Sequence, residues 1–181
     1  MRWFILFLLF VALSAGGCAK QVTVVETPTL QADFADPEWT GDMIPPGQQC
    51  RKCGGDGSTP RFIVSNIPEG ASDLVIQFRD GAFDSGMTSQ GAHGAIRVKI
   101  ADHSRMTTPA VAGETLDMPQ DVTIEKRHIG GNAGQTGAYL PPCACLAKNR
   151  SYHKYYALIQ AVDANGTVLA ERTIMIGKFK N

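Results

Sequence analysis

The fold is decided by the stretch GGNAGQTGAYLPPCACLAKNRSYHKYY, residues 130–156. A β-strand cannot run through Leu140-Pro141-Pro142, because proline donates no ladder hydrogen bond and restricts the residue before it. The glycines permit positive φ and close backbone approach, so the first half predicts a shaped loop. The apolar run at 155–162 is typical of a strand buried on both faces. We therefore expect His153 to lie where a loop meets a central strand.

The segments on either side also predict strands. Residues 73–79 and 122–128 alternate apolar and polar side chains, 61–64 form a shorter apolar run, and 101–120 have the composition of a loop. Asp163-Ala164-Asn165-Gly166 indicates a hairpin with a type I′ turn, after which 167–179 can pair back on the central strand. The chain is predicted to be mainly β.

Length and charge bound the function. The 181 residues, without a leader, suffice for one domain with a core of its own. The formal net charge is zero, which gives no electrostatic reason to expect a nucleic-acid partner or an anionic lipid surface. No feature of the sequence identifies a protein partner.

The N-terminus predicts export. Arg2 precedes an apolar run at 3–13 that is too short to span a bilayer, and small residues lead to Cys18. We predict a lipoprotein signal peptide at 1–17 and lipidation of Cys18, with ordinary cleavage near 14–19 as the alternative, since Leu13 lies farther from the cysteine than a lipobox requires. Ala19 resembles the signal for outer-membrane sorting. The expected location is the bacterial envelope, lipid-anchored and facing the periplasm.

The remaining chain is divided by its proline content. Residues 18–47 carry four prolines and little periodicity, so we predict a tether with at most one short strand at 22–25. Residues 48–181 are predicted to form the domain.

Four further cysteines form two close pairs, Cys50 with Cys53 and Cys143 with Cys145. In an exported chain the default is two disulfides, whose partners the sequence does not specify. A zinc site with four thiolates is the alternative, and is more typical of reducing compartments.

These motifs together resemble the bacterial branch of the phosphatidylethanolamine-binding protein family. The resemblance is carried, in the family's order, by Gly131-Asn132, Gly137-Ala138-Tyr139, Pro142-Cys143, His153-Lys154-Tyr155 and Ala161-Val162-Asp163. It implies a large central β-sheet packed with a smaller sheet, few short helices, and disulfides that join the first cysteine pair to the second.

The sequence departs from the family's pattern at three places. Asp80 matches the first Asp of the family's Asp-Pro-Asp motif, but the proline and the second Asp are lost or displaced. Gly94 replaces the usual Trp. A helix that many relatives have before the last strand is shortened away, which implies a more open pocket.

The resemblance also implies a ligand site. The positions that match the family's anion pocket are Asp80, His93, His153 and Tyr155, with Tyr139 and Pro142 on its rim. A histidine protonated beside a carboxylate donates charge-assisted hydrogen bonds to an anion, and tyrosine adds a neutral donor. We expect a small anion or a phospholipid headgroup as ligand, no cofactor, and no enzymatic activity.

Other interpretations use the same residues differently. An Asp with two His also suits a divalent metal, but metal-bound histidines need neutral rings, so we favour an anion. A hydrolase has little support, because no nucleophile motif is present. The main alternative is a structural or interaction lipoprotein of the envelope with a vestigial pocket. His103 and His128 have no motif around them and are predicted to be surface residues.

Overall fold

The computed structural model describes residues 29–83, 93–129, 137–146 and 152–180. Its strands are β1 (Gln31–Phe34), β2 (Phe62–Ser65), β3 (Asp73–Asp80), β4 (Ala95–Lys99), β5 (Arg105–Thr107), β6 (Val122–Lys126), β7 (His153–Val162) and β8 (Val168–Phe179). They form a five-stranded sheet in the order β6-β4-β3-β7-β8 and a three-stranded sheet in the order β1-β2-β5. All pairings within these sheets are antiparallel. The predicted fold class, mainly β with a larger and a smaller sheet, is confirmed.

The core lies between the two sheets. Alternate residues of β3, such as Ile76 and Phe78, are buried in it, and Ile76 lies opposite Ile159 of β7 and Ile96 of β4. Phe62 from β2 is fully buried in the same cluster. Burying a side chain of this size stabilises the fold by about 1.5–3 kcal/mol relative to leaving it exposed. The strand β7 has buried residues on both of its faces, as its apolar run predicts.

The predicted tether is wrong for the part of it that the structure describes. The strand β1 pairs with β2, and Leu30, Trp39 and Ile44 are buried in the core. The chain then runs beside β8, where the Ile44 amide donates to the Lys178 carbonyl at 3.0 Å. The burial of these three apolar side chains therefore fixes the segment on the domain despite its prolines. The folded domain includes residues from Leu30 onward. The predicted strand at 22–25 and the signal peptide at 1–17 lie outside the described residues.

The hairpin after β7 is present, but its turn differs from the predicted type I′. A type I′ turn needs positive φ at both central residues, whereas Gly166 has φ 83° and Asn165 is not among the residues with positive φ. The Gly166 amide donates to the Asp163 carbonyl at 3.0 Å. The Asp163 carboxylate accepts the amides of Asn165 and Thr167 at 2.9 and 2.8 Å. This side chain caps a type I turn followed by a left-handed glycine.

Two smaller points complete the fold. The interval 101–120, predicted to be loop, contributes β5, which pairs with β2 and places Met106 in the core.

Among the residues that the structure describes, no helix is long and apolar enough to cross a membrane.

Candidate functional site

The predicted site residues meet where β3 ends and β7 begins. Asp80 is the last residue of β3, His153 is the first of β7, and Asp80 lies opposite Tyr155 in the antiparallel register. Side chains alternate between the faces of a sheet, so His153 and Tyr155, two residues apart, share the inner face. Each of these three side chains is at most 4% exposed.

The carboxylate of Asp80 organises this group. It accepts the Nδ1 proton of His153 at 2.7 Å and the backbone amide of Ala82 at 2.9 Å. Its charge also acts on the hydroxyl of Tyr155 and helps to raise the pKa of that group. With Nδ1 committed to the carboxylate, the imidazole of His153 is fixed in orientation.

His93 reaches the same group from the segment before β4. Its backbone amide donates to the Phe78 carbonyl at 3.2 Å, which extends the pairing with β3. Its Nδ1 lies 2.8 Å from the carbonyl oxygen of Leu140 and must be the donor, since a carbonyl oxygen can only accept. Nε2 is therefore the ring nitrogen that can face a ligand. The ring stands edge-on to Tyr155, with the ring centroids 5.2 Å apart.

Burial shifts the pKa values of His93 and of the tyrosines of the site in opposite directions. Burial lowers the pKa of His93, which the Leu140 carbonyl and the Asp80 charge only partly offset. Burial also raises the pKa of Tyr139 and of Tyr155 far above the usual range. At neutral pH His93 is therefore an uncharged ring, and both tyrosines are neutral phenols. Burial therefore disfavours the protonated His93 that anion binding requires, as long as no ligand is present.

The loop with the Pro-Pro step covers this site. The Leu140 amide donates to the His93 carbonyl at 2.9 Å, and the Tyr139 ring packs against Phe78 with centroids 4.6 Å apart. The hydroxyl of Tyr139 is buried without a hydrogen-bond partner in the described part of the chain. Pro142 is buried, and its carbonyl accepts the amide of Cys50 at 3.0 Å.

Gly94, where the family has Trp, makes this closure possible. Its φ is 93°, and a Cβ at this position would lie 1.8 Å from the carbonyl oxygen of Ala138. Any larger residue would push the loop away from the sheet. The close approach of the loop to the start of β4 therefore leaves no room for a side chain at this position.

The disulfides hold the same loop from its other side. Cys50 is bonded to Cys143 and Cys53 to Cys145, with Cα–Cα distances of 5.4 and 5.6 Å. The amide of Cys143 donates to the hydroxyl of Tyr155 at 3.3 Å. The predicted bridges between the two cysteine pairs are thus confirmed, and they attach the loop directly to a site residue.

Sequence reasoning assigned no contacts to two half-buried histidines, His103 and His128. The Nε2 of His103 bonds the Ala71 carbonyl at 2.9 Å. Both ring nitrogens of His128 are buried without a hydrogen-bond partner among the described residues, and burial lowers its pKa. The charge of His128 acts on His93, so His128 belongs to the electrostatic surroundings of the site. Both residues are partly exposed, as surface positions allow, but their contacts with the loops give no periodic signal in the sequence.

The arrangement suits a small ligand that accepts a hydrogen bond from Tyr139, whose hydroxyl has no partner among the described residues. Nε2 of His93 becomes a second donor only when the ring is protonated, since Nδ1 carries the proton of the neutral ring. Asp80 holds its neighbours in place. A metal at this site has little support. Among the described residues, groups of three or more ligand atoms at metal spacing occur only at the cysteines.

The outer face of the larger sheet is a weaker candidate. It has a depression of about 270 Å³. Its polar side chains already pair with one another: Arg97 contacts Glu125 at 2.8 Å and Asp73 at 3.4 Å, and Gln77 bonds Gln160 at 3.0 Å. Groups satisfied in this way offer little to a ligand.

Comparison with known proteins identifies the fold. No family model matches the sequence, and no curated protein sequence matches it. Among solved structures, the phosphatidylethanolamine-binding protein homologue CT736 of Chlamydia trachomatis matches with a TM-score of 0.51 and 19% identity, over 84% of this chain and 98% of its own. YbcL of E. coli, described as a new member of the mammalian phosphatidylethanolamine-binding protein family, matches with a TM-score of 0.57 and 17% identity. The match covers 85% of this chain and 99% of YbcL. The chain has the fold of the phosphatidylethanolamine-binding proteins.

Proposed function

We propose that this protein is a binding protein of the bacterial cell envelope, anchored to the membrane through Cys18. Its ligand is a small phosphate-like anion, either free or as a phospholipid headgroup, held at the site around Asp80. The observation that carries the proposal is the buried Asp80–His153 pair, which meets His93 and Tyr155 at one end of the sheet. The protein binds its ligand without chemical conversion.

The hydrogen-bonding groups of the site support a ligand that accepts, provided that His93 is protonated when the ligand binds, because Nε2 of the neutral ring can only accept. His93 and His153 both use Nδ1 for a protein acceptor, which orients each ring. The Tyr139 hydroxyl is a neutral donor, buried and without a partner in the described residues. An unsatisfied buried hydroxyl costs about 1–3 kcal/mol, a cost that an anion oxygen bonded to it would remove.

The burial of the site favours a compact ligand. Its side chains are at most 7% exposed, so an anion that contacts them loses most of its hydration. Charge-assisted hydrogen bonds have to offset that loss, and a protonated His93 would supply one. Ligand binding must therefore be coupled to proton uptake by His93.

This coupling sets a pH dependence with a definite sign. In the ligand-free protein the pKa of His93 lies below its usual value of about 6.5, because the ring is buried. An anion favours the protonated ring and must raise this pKa by linkage. We expect affinity to be highest at low pH. It should decline as pH rises from the ligand-free pKa of His93 to the ligand-bound pKa, and become flat above that.

The test is a titration with sulfate, an anion that does not itself titrate in this range, and with phosphoethanolamine as the headgroup. Affinity and the imidazole NMR signals of His93 and His153 are followed at several pH values. The variant His93→Asn keeps a donor near the Leu140 carbonyl but removes Nε2. It should bind about tenfold or more weakly at low pH, since a charge-assisted bond contributes about 1.5–3 kcal/mol, and its pH profile should be flat.

A matched control is His103→Gln, which preserves a donor toward the Ala71 carbonyl on the far side of the core. This variant should bind like the wild type. Binding of phosphoethanolamine but not sulfate would identify the headgroup as the ligand. Unchanged His93 and His153 signals with both probes, in a folded protein, would favour the vestigial-pocket alternative.

Anchoring has its own prediction. We expect Cys18→Ala to release the protein from the membrane fraction into the soluble periplasmic fraction, because the variant lacks the thiol that carries the lipid. Fractionation with immunodetection measures this, and Cys18→Ser serves as a second variant. A wild-type chain that is already soluble after export would show that the signal is cleaved in the ordinary way and that Cys18 is not lipidated.

A further inference from the structure

The first cysteine pair lies on a turn that brings its sulfurs together. Arg51–Cys53 form a single 3-10 turn, Cys50 precedes it, and Gly54 ends it with φ 79°. The Sγ atoms of Cys50 and Cys53 are 3.4 Å apart, although each is bonded to a cysteine elsewhere in the chain. This proximity is not required by two bridges between distant segments.

The spacing of the sulfurs is close to that of a metal site. Zinc binds thiolate at about 2.3 Å, so four sulfurs arranged tetrahedrally around it are about 3.8 Å apart. The Sγ atoms of Cys50, Cys53 and Cys143 all lie within 4.8 Å of one another. Cys145, bonded to Cys53, supplies the fourth sulfur. Opening the two bridges would therefore leave the thiolates within a short movement of zinc-binding geometry.

We propose that the four cysteines have a second, reduced state that binds one soft divalent cation such as Zn²⁺. Two dithiol molecules supply the electrons. Each transfers two electrons and two protons to one bridge and is itself oxidised to a disulfide, so that four cysteine thiols result. Zn²⁺ then binds the four thiolates and releases four protons. The oxidised protein carries no metal there, and the proposal does not depend on anion binding.

The surroundings of the cluster fit both states. Lys52 lies between the first two cysteines and partly balances the net negative charge of a zinc–tetrathiolate centre, whereas Arg51 beside it is paired with Asp56 and Glu114. Cys50 is fully buried beside Leu140, whereas Cys53 and Cys145 are half-buried. A dithiol reductant therefore meets the Cys53–Cys145 bridge first.

The arrangement also resists collapse when the bridges open. The turn is held by backbone bonds from the amides of Cys53 and Gly55 to the carbonyl of Cys50 at 2.9 and 3.1 Å. The Pro142 carbonyl still accepts the Cys50 amide at 3.0 Å, which keeps the second segment beside the first. These contacts involve no sulfur and are available to the reduced chain.

The experiment uses the full chain with Cys18→Ser, so that only the four cysteines of the cluster remain. The protein is reduced with a phosphine, freed of reductant under nitrogen, and titrated with Co²⁺ and then Zn²⁺. We expect one Co²⁺ per chain with the intense absorption of tetrahedral cobalt–thiolate, displacement by Zn²⁺, and a native near-UV circular dichroism spectrum in the metal-bound form. The unreduced protein should bind no Co²⁺ at the cluster.

A ligand variant and a surface variant separate specific from adventitious binding. In the reduced chain, Cys53→Ser should weaken Co²⁺ binding by about tenfold or more, since even the outer-shell partners of metal ligands contribute 10–100-fold. Asp56→Asn, on the exposed side of the same loop, should change it little. The proposal is wrong if the reduced chain binds no Co²⁺, if the bound cobalt lacks thiolate absorption, if Cys53→Ser binds as tightly, or if metal leaves a reduced chain unfolded.

Discussion

Replacing Asp80 with alanine is expected to lower the free energy of unfolding by about 3–5 kcal/mol, the cost of removing one partner from a buried ion pair or hydrogen-bonded pair. Two donors lose their acceptor at once, Nδ1 of His153 and the amide of Ala82, and the hydroxyl of Tyr155 loses a nearby charge. Water cannot readily replace it, because His153 and Tyr155 are at most 2% exposed. Urea denaturation of the purified variant measures the loss.

A surface carboxylate provides the control for this prediction. Asp42 pairs with Lys178 at 2.9 Å, but its side chain is 71% exposed, so Asp42→Ala should cost no more than about 1 kcal/mol. Asp80→Asn should fall between the two, since an amide has one oxygen for the two donors that the carboxylate accepts. A loss below about 1 kcal/mol in Asp80→Ala would mean that the carboxylate does not organise the site.

Local patterns predict the strands that Asp80 ends and His153 begins, and the register of one sheet brings these two residues together. Their assignment to one pocket with His93 and Tyr155 came from the resemblance to the family and its order of motifs, which also includes the loop with Tyr139. The pairing of individual cysteines could not be predicted, because Cys50 and Cys53 have the same kind of neighbours in sequence.

The errors have a common physical origin in packing that local patterns do not encode. Leu30, Trp39 and Ile44 are isolated apolar residues among prolines, and only the completed sheets give them a place to be buried. The ionisation of His93 depends on a loop that closes over it, and that closure depends on the absence of a side chain at Gly94. Such long-range contacts decide the charge of a site more than its residue types do.

Removing both disulfides is expected to cost far more than twice the loss of either one. The bonded cysteines are 93 and 92 residues apart in sequence, so the first bridge formed restricts the unfolded chain by ~4.6 kcal/mol in the chain-entropy model. Once it exists, the second closes a ring of only about five residues and adds ~2 kcal/mol. Cys50→Ala with Cys143→Ala, or Cys53→Ala with Cys145→Ala, should each lose ~2 kcal/mol, and the quadruple variant ~6–7 kcal/mol.

Urea denaturation of the three variants in the absence of reductant tests this non-additivity. Peptide mapping without reduction should find the remaining bridge intact in each double variant, which shows that the loss comes from the bridge removed. Burial makes the two double variants slightly unequal, because Cys50 is fully buried and its replacement also leaves a small cavity beside Leu140. If each double variant alone loses more than ~4 kcal/mol, or if the quadruple variant merely equals their sum, the two bridges do not restrict the same loop of the unfolded chain.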